Sequence, residues 1–149
     1  MRLKKLLGFI PAVVIMAVIF FFSAQTGDES TVLSDGVITV AAGEENVGGE
    51  LLTVIVRKSA HFLEYAALGA AVYFGMRWAG TDKRQGKRLL LSTAFGGLYA
   101  VSDELHQYFV PGRACMAMDV VIDICGAAFG AVFMFLIFKL IDRLGKNNK

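Results

Sequence analysis

Residues 6–23, LLGFIPAVVIMAVIFFFS, carry no charged side chain, and none occurs anywhere between Lys5 and Asp28. A run of that length and apolarity suffices for one membrane crossing, which takes about 20 residues. Arg2, Lys4 and Lys5 ahead of it also describe a secretory signal. Signal cores, however, usually hold roughly 7–15 apolar residues, and Phe22 fits poorly in a small-residue cleavage site ending at Ala24, so a retained anchor is expected. The whole chain agrees with this run. Of its 149 residues 56% are hydrophobic and 19% charged, against roughly 45–50% and 25% in ordinary soluble proteins, and the mean hydropathy is +0.58. The length fits one domain. A formal net charge of +2 supplies no basic face for a nucleic-acid partner, and so apolar a chain is not disordered.

Beyond the first run, residues 24–50 carry Asp28, Glu29, Asp35, Glu44, Glu45 and Glu50 with no Lys or Arg, while Gly43, Gly48 and Gly49 interrupt helical continuity. An exposed acidic loop is expected there. Three further spans follow, at about 54–78, 89–110 and 116–140. Each is interrupted near one end. Arg57, Lys58, His61 and Glu64 open the second, Asp103, Glu104, His106 and Gln107 close the third, and Asp119 and Asp123 open the fourth. Cys115 and Cys125 read as one helix, about 15 Å apart at roughly 1.5 Å per residue, too far for a disulfide and placed as core thiols.

Twelve of the fifteen basic residues (Arg2, Lys4, Lys5, Arg77, Lys83, Arg84, Lys87, Arg88, Lys139, Arg143, Lys146, Lys149) fall at the amino terminus, the middle loop or the tail. The positive-inside rule then predicts an all-α integral membrane four-helix bundle in the cell membrane, multi-pass, with both termini cytoplasmic. In that topology the polar ends of spans two, three and four lie at one height in the outer leaflet. Arg57, His61, Glu64 and Leu68 share one helix face at 4-3-4 spacing; Asp119, Asp123, Gly126 and Gly130 share another, and Gly96, Ala100, Asp103 and Gln107 a third. Charged groups near the bilayer centre cost on the order of 3 kcal/mol or more and face the protein interior. A shared polar pocket is therefore expected from Arg57, His61, Glu64, Asp103, Glu104, His106, Gln107, Arg113, Asp119 and Asp123, with Gly126 and Gly130 as a packing seam below it.

The pocket's chemistry follows from its residue types. Histidine changes charge near neutral pH and carboxylates orient it, so His61, Glu64, Glu104, His106 and Asp123 are the acid–base candidates should the protein be an enzyme. The opposing reading makes these groups buried ion pairs that fix helix register. Lys58 is expected to snorkel to outer head groups, and Arg113 either grips an anionic group through its planar fork or anchors at the head groups. Two histidines with Glu64, Glu104 and an aspartate are suitable ligand types for a divalent cation. No His-Glu-x-x-His motif accompanies them, and neither a metal nor a cofactor is assigned. Ser23, Ser59 and Ser102 lack a nucleophile elbow, and no phosphate loop or dinucleotide fingerprint occurs. An ATPase or dehydrogenase is thereby disfavoured.

Ser23-Ala24-Gln25, the Arg57-Lys58-Ser59-Ala60-His61-Phe62-Leu63-Glu64-Tyr65 run, and Asp103-Glu104-Leu105-His106-Gln107 through Val110-Pro111-Gly112-Arg113 to Asp119 and Asp123-Ile124-Cys125-Gly126 resemble the VanZ-like family of small bacterial membrane proteins. The resemblance covers nearly the whole chain. The family is named for a protein associated with resistance to teicoplanin, a glycopeptide antibiotic with a fatty-acyl tail. The name does not give the substrate, but it agrees with the outward-facing polar pocket read from the residues, where a membrane lipid or an amphiphilic small molecule would put its head among charged groups and its tail in lipid, the chain acting as a binding or antagonist protein. The alternative is an enzyme using His, Glu and Asp on an outer-leaflet lipid or cell-wall precursor. A third possibility is a structural subunit whose polar cluster pairs with a partner helix.

Overall fold

The computed structural model describes residues 2–42, 49–80, 84–113 and 115–147. Among them every regular element is helical: α1 (Arg2–Leu6), a 3-10 turn (Leu7–Phe9), α2 (Ile10–Ser23), α3 (Gly27–Ala42), α4 (Gly49–Ala79), α5 (Gln85–Gln107) and α6 (Ala117–Asn147). Glu44, Glu45, Gly43 and Gly48 of the expected loop, and Lys83 and Lys149 of the topology count, lie outside the described residues. Two segments, Lys4–Ser23 and Ala117–Lys146, are long and apolar enough to cross a membrane. The break between α1 and α2 precedes Pro11, whose ring tolerates only the first turn of a helix.

The helices run alongside one another with a consistent sense. At one end the Trp78 indole N–H donates to the Lys4 carbonyl at 3.0 Å, Arg77 meets Asp142 at 3.2 Å, and the Arg88 guanidinium lies 5.6 Å from the Tyr73 ring centroid. Arg88 is buried and not part of an exposed basic loop, because α5 begins three residues before it and carries it under α4. At the other end Ser23 meets Asp103, and His61 meets Asp123. Between these ends Ala12, Ile19, Tyr65, Leu68, Ala71, Val72 and Ala100 form the core.

The closest approach is between α4 and α6. A Cβ on Gly130 would lie 1.7 Å from the Ala66 carbonyl oxygen, and one on Gly69 would lie 2.0 Å from that of Ala127. Only hydrogen fits there, so small residues let the two backbones touch and gain dispersion contacts where apolar burial alone gives little. Large hydrophobic side chains point outward from α2, α5 and α6, among them Phe20, Phe21, Leu98, Phe129, Phe133 and Leu136.

Residues 24–50 are not one loop. α3 occupies Gly27–Ala42 and starts from a capping box: the Thr26 N–H donates to Glu29 Oε2 at 2.8 Å, and the Glu29 N–H returns to Thr26 Oγ1 at 3.3 Å. Such reciprocal bonds satisfy amides that a helix start leaves open. These bonds hold the Glu29 carboxyl below its ordinary pKa. Ser30, Ser34 and Ile38 form a buried stripe at i, i+4 spacing, and Thr53 and Arg57 of α4 bond to Asp35 and Thr31 across the contact. The cysteines also depart from expectation. Cys115 precedes α6, and both thiols are exposed, because Cys125 sits on the opposite flank of α6 from buried Asp123 and Ala127.

Candidate functional site

Three helices deliver the site. His61 from α4, Asp103 from α5 and Asp123 from α6 each offer a ligand-type atom within 4.8 Å of the others. The face spacing explains the delivery: Gly96, Ala100, Asp103 and Gln107 are all buried along α5, so its small residues admit the neighbouring helices and its acid enters the seam. His61 Nδ1 and Asp123 Oδ1 are 3.4 Å apart, close but without hydrogen-bond alignment. Asp103 Oδ2 accepts from Ser23 Oγ at 2.9 Å and from Gln107 Nε2 at 3.2 Å. The Tyr65 side chain is fully buried, its hydroxyl lacking a hydrogen-bond partner.

A cleft of about 310 Å³ opens beside this cluster, lined by Phe22, Leu33, Val37 and Val56 on its apolar walls and by Arg57, His61, Glu64 and Arg113 on its charged side. His61 belongs to both features. Arg57 donates to Thr31 Oγ1 at 3.0 Å. Arg113 donates through Nε to the Gln25 carbonyl at 3.1 Å and through a terminal nitrogen to the Phe22 carbonyl at 3.0 Å, tying the turn after α5 to the chain leaving α2. Burial, and then the neighbouring Arg57 charge, lowers the Arg113 pKa from its usual range. Pro111 and Gly112 set the turn that brings Arg113 there. Gly112 has φ 73°, a left-handed conformation that glycine adopts without strain, and its carbonyl leaves no room for a side chain on Gly27.

Other expected members have different partners. Glu104 Oε1 accepts from the Met116 N–H at 3.2 Å and ties the α5–α6 turn. His106, one helical step off the Asp103–Gln107 face, stacks on Phe20 with ring centroids 4.8 Å apart. Lys58 pairs with Asp119, since α6 passes close enough for the short aspartate to reach it. Ser23 is the residue sequence reasoning missed as a site member. A serine closing an apolar run gives no sign of its partner 80 positions on.

A family model described as VanZ/LLP1 matches residues 9–139. No curated protein and no solved structure matches the chain.

Proposed function

The chain belongs to the VanZ/LLP1 family, and from that membership we propose that it is a multi-pass membrane protein whose cleft takes the polar head of an amphiphile at the outer leaflet. The observation that carries this reading is the cleft's mixed lining: Leu33, Val37 and Val56 face Arg57, His61, Glu64 and Arg113 across about 310 Å³. A head group satisfies the charged side while an acyl chain follows the apolar walls toward lipid. α3, with Asp28, Glu29 and Asp35 exposed beside exposed Val32, Leu33, Val37 and Val40, suits a helix lying at the interface.

In this account α2, α4, α5 and α6 cross the membrane as a four-helix bundle with both termini cytoplasmic. Lys4, Lys5, Arg77, Arg84, Lys87, Lys139, Arg143 and Lys146 then collect on the cytoplasmic side, as the positive-inside rule requires. A lipid-tailed glycopeptide or a cell-envelope lipid has the required chemistry. Mass spectrometry of bound lipids on the gently purified protein tests the reading. One acyl-bearing species per chain is expected, lost in Arg57→Ala and in Glu64→Gln; a species retained equally by both variants contradicts it.

One observation favours a second reading. His61 is held near Asp123 at the cleft wall, an arrangement that suits acid–base chemistry on the same head group, with Glu64 carrying the second proton. Catalysis gains if Asp123→Asn abolishes turnover of a bound lipid while its affinity is unchanged.

A further inference from the structure

We propose that His61, Asp103 and Asp123 bind a divalent transition-metal ion, of the Zn²⁺ or Mn²⁺ kind, at the inner wall of the cleft. One atom from each side chain lies within 4.8 Å of the others, and an ion about 2.1 Å from each donor draws them together by side-chain rotation. An imidazole nitrogen with two carboxylate oxygens suits a borderline cation, whereas Mg²⁺ and Ca²⁺ take oxygen alone. Asp103 is already oriented for this. Ser23 and Gln107 both bond to its Oδ2, the outer support that metal-ligating carboxylates usually have, and its other oxygen is left for a ligand.

An independent observation points to the same place. Asp123 Oδ1, on a side chain only 4% exposed, and His61 Nδ1 face each other at 3.4 Å without hydrogen-bond geometry, and the hydroxyl of fully buried Tyr65 has no hydrogen-bond partner. Buried polar atoms are normally satisfied, and buried carboxylates call for a compensating cation. Apart from His61, which faces Asp123, the neighbouring side-chain cations are directed elsewhere: Lys58 to Asp119, Arg57 to Thr31, and Arg113 to the carbonyls of Phe22 and Gln25. Because His61 also lines the cleft, a coordination position faces it, as in metal sites that take an exchangeable ligand. The inference does not depend on what the cleft holds, since the ion alone is the probe.

The test is calorimetric titration of Zn²⁺ into the purified full chain carrying Cys115→Ser and Cys125→Ser, which removes the exposed thiols as competitors. One ion per chain is expected. Affinity falls by more than the roughly 10–100-fold that outer-shell changes cost in His61→Ala and Asp123→Asn, and within that range in Ser23→Ala. It is unchanged in His106→Gln. X-ray absorption at the zinc edge of the loaded chain, without any of these ligand-site changes, reads imidazole nitrogen with carboxylate oxygen and does not rely on a variant folding. No stoichiometric site, equal affinity in His61→Ala and Asp123→Asn, or a shell without imidazole overturns the proposal, and the cluster is then a hydrogen-bonded network that shares protons.

Discussion

At the scale of single residues, Asp103 is the junction on which the polar interior depends. Its Oδ2 receives both Ser23 and Gln107 in a buried setting, and losing one donor while the other remains costs about 0.5–1.5 kcal/mol. Ser23→Ala should lower stability in detergent by that amount in thermal unfolding. Ser102→Ala, which removes only an exposed bond to the Tyr99 carbonyl, should stay within about 0.5 kcal/mol. Face spacing in the sequence brought out His61, Asp103, Gln107 and Asp123, because i, i+4 positions are fixed by helix geometry alone. It did not reveal Ser23 or the Lys58–Asp119 pair, since each needs the rotation of a second helix about its own axis, which one face pattern leaves free. His106 shows the same limit: it follows Asp103 by three positions, yet a turn of 100° per residue carries it toward Phe20.

Among the elements, α4 and α6 depend on glycine, whereas α3 depends on its cap. Gly130→Ala would drive a methyl group into the Ala66 carbonyl and should destabilise by about 1–3 kcal/mol through overpacking. Gly36→Ala has open space around it within α3 and should be neutral or stabilising by up to about 1 kcal/mol. Paired thermal melts check the opposite signs. For α3, the lowered pKa of Glu29 means its contribution is present above the ordinary carboxylate range and is lost as pH falls through the folded value. Amide exchange in the first turn of α3, corrected for intrinsic pH dependence, should therefore accelerate on acidification; Thr26→Ala, which keeps the backbone N–H that reaches Glu29, should only reduce the pH effect, and Glu29→Gln should remove it. The long apolar helices were legible from their runs. α3 was not, because its acidic, glycine-flanked sequence hides a weak stripe of two serines and an isoleucine. The Thr26-Gly27-Asp28-Glu29 box was the available signal.

For the whole molecule, the two apolar helices and the family assign a membrane setting, and the segregation of groups along the helices gives the account its direction. Basic residues lie toward the Trp78 end, and the polar cluster lies toward the Arg113 end. Apolar side chains clothe the flanks between them. Composition and periodicity carried that division because lipid imposes it along the length of every crossing segment. The enclosing cleft was not legible, since α3 forms one of its walls. The most direct measurement is labelling of Ala60→Cys, a cleft-lining position, in intact cells with a membrane-impermeant maleimide, in a chain otherwise free of cysteine. An outward-facing cleft predicts modification before permeabilisation and protection once an amphiphile is bound. Modification only after the cytoplasmic side is opened would contradict it.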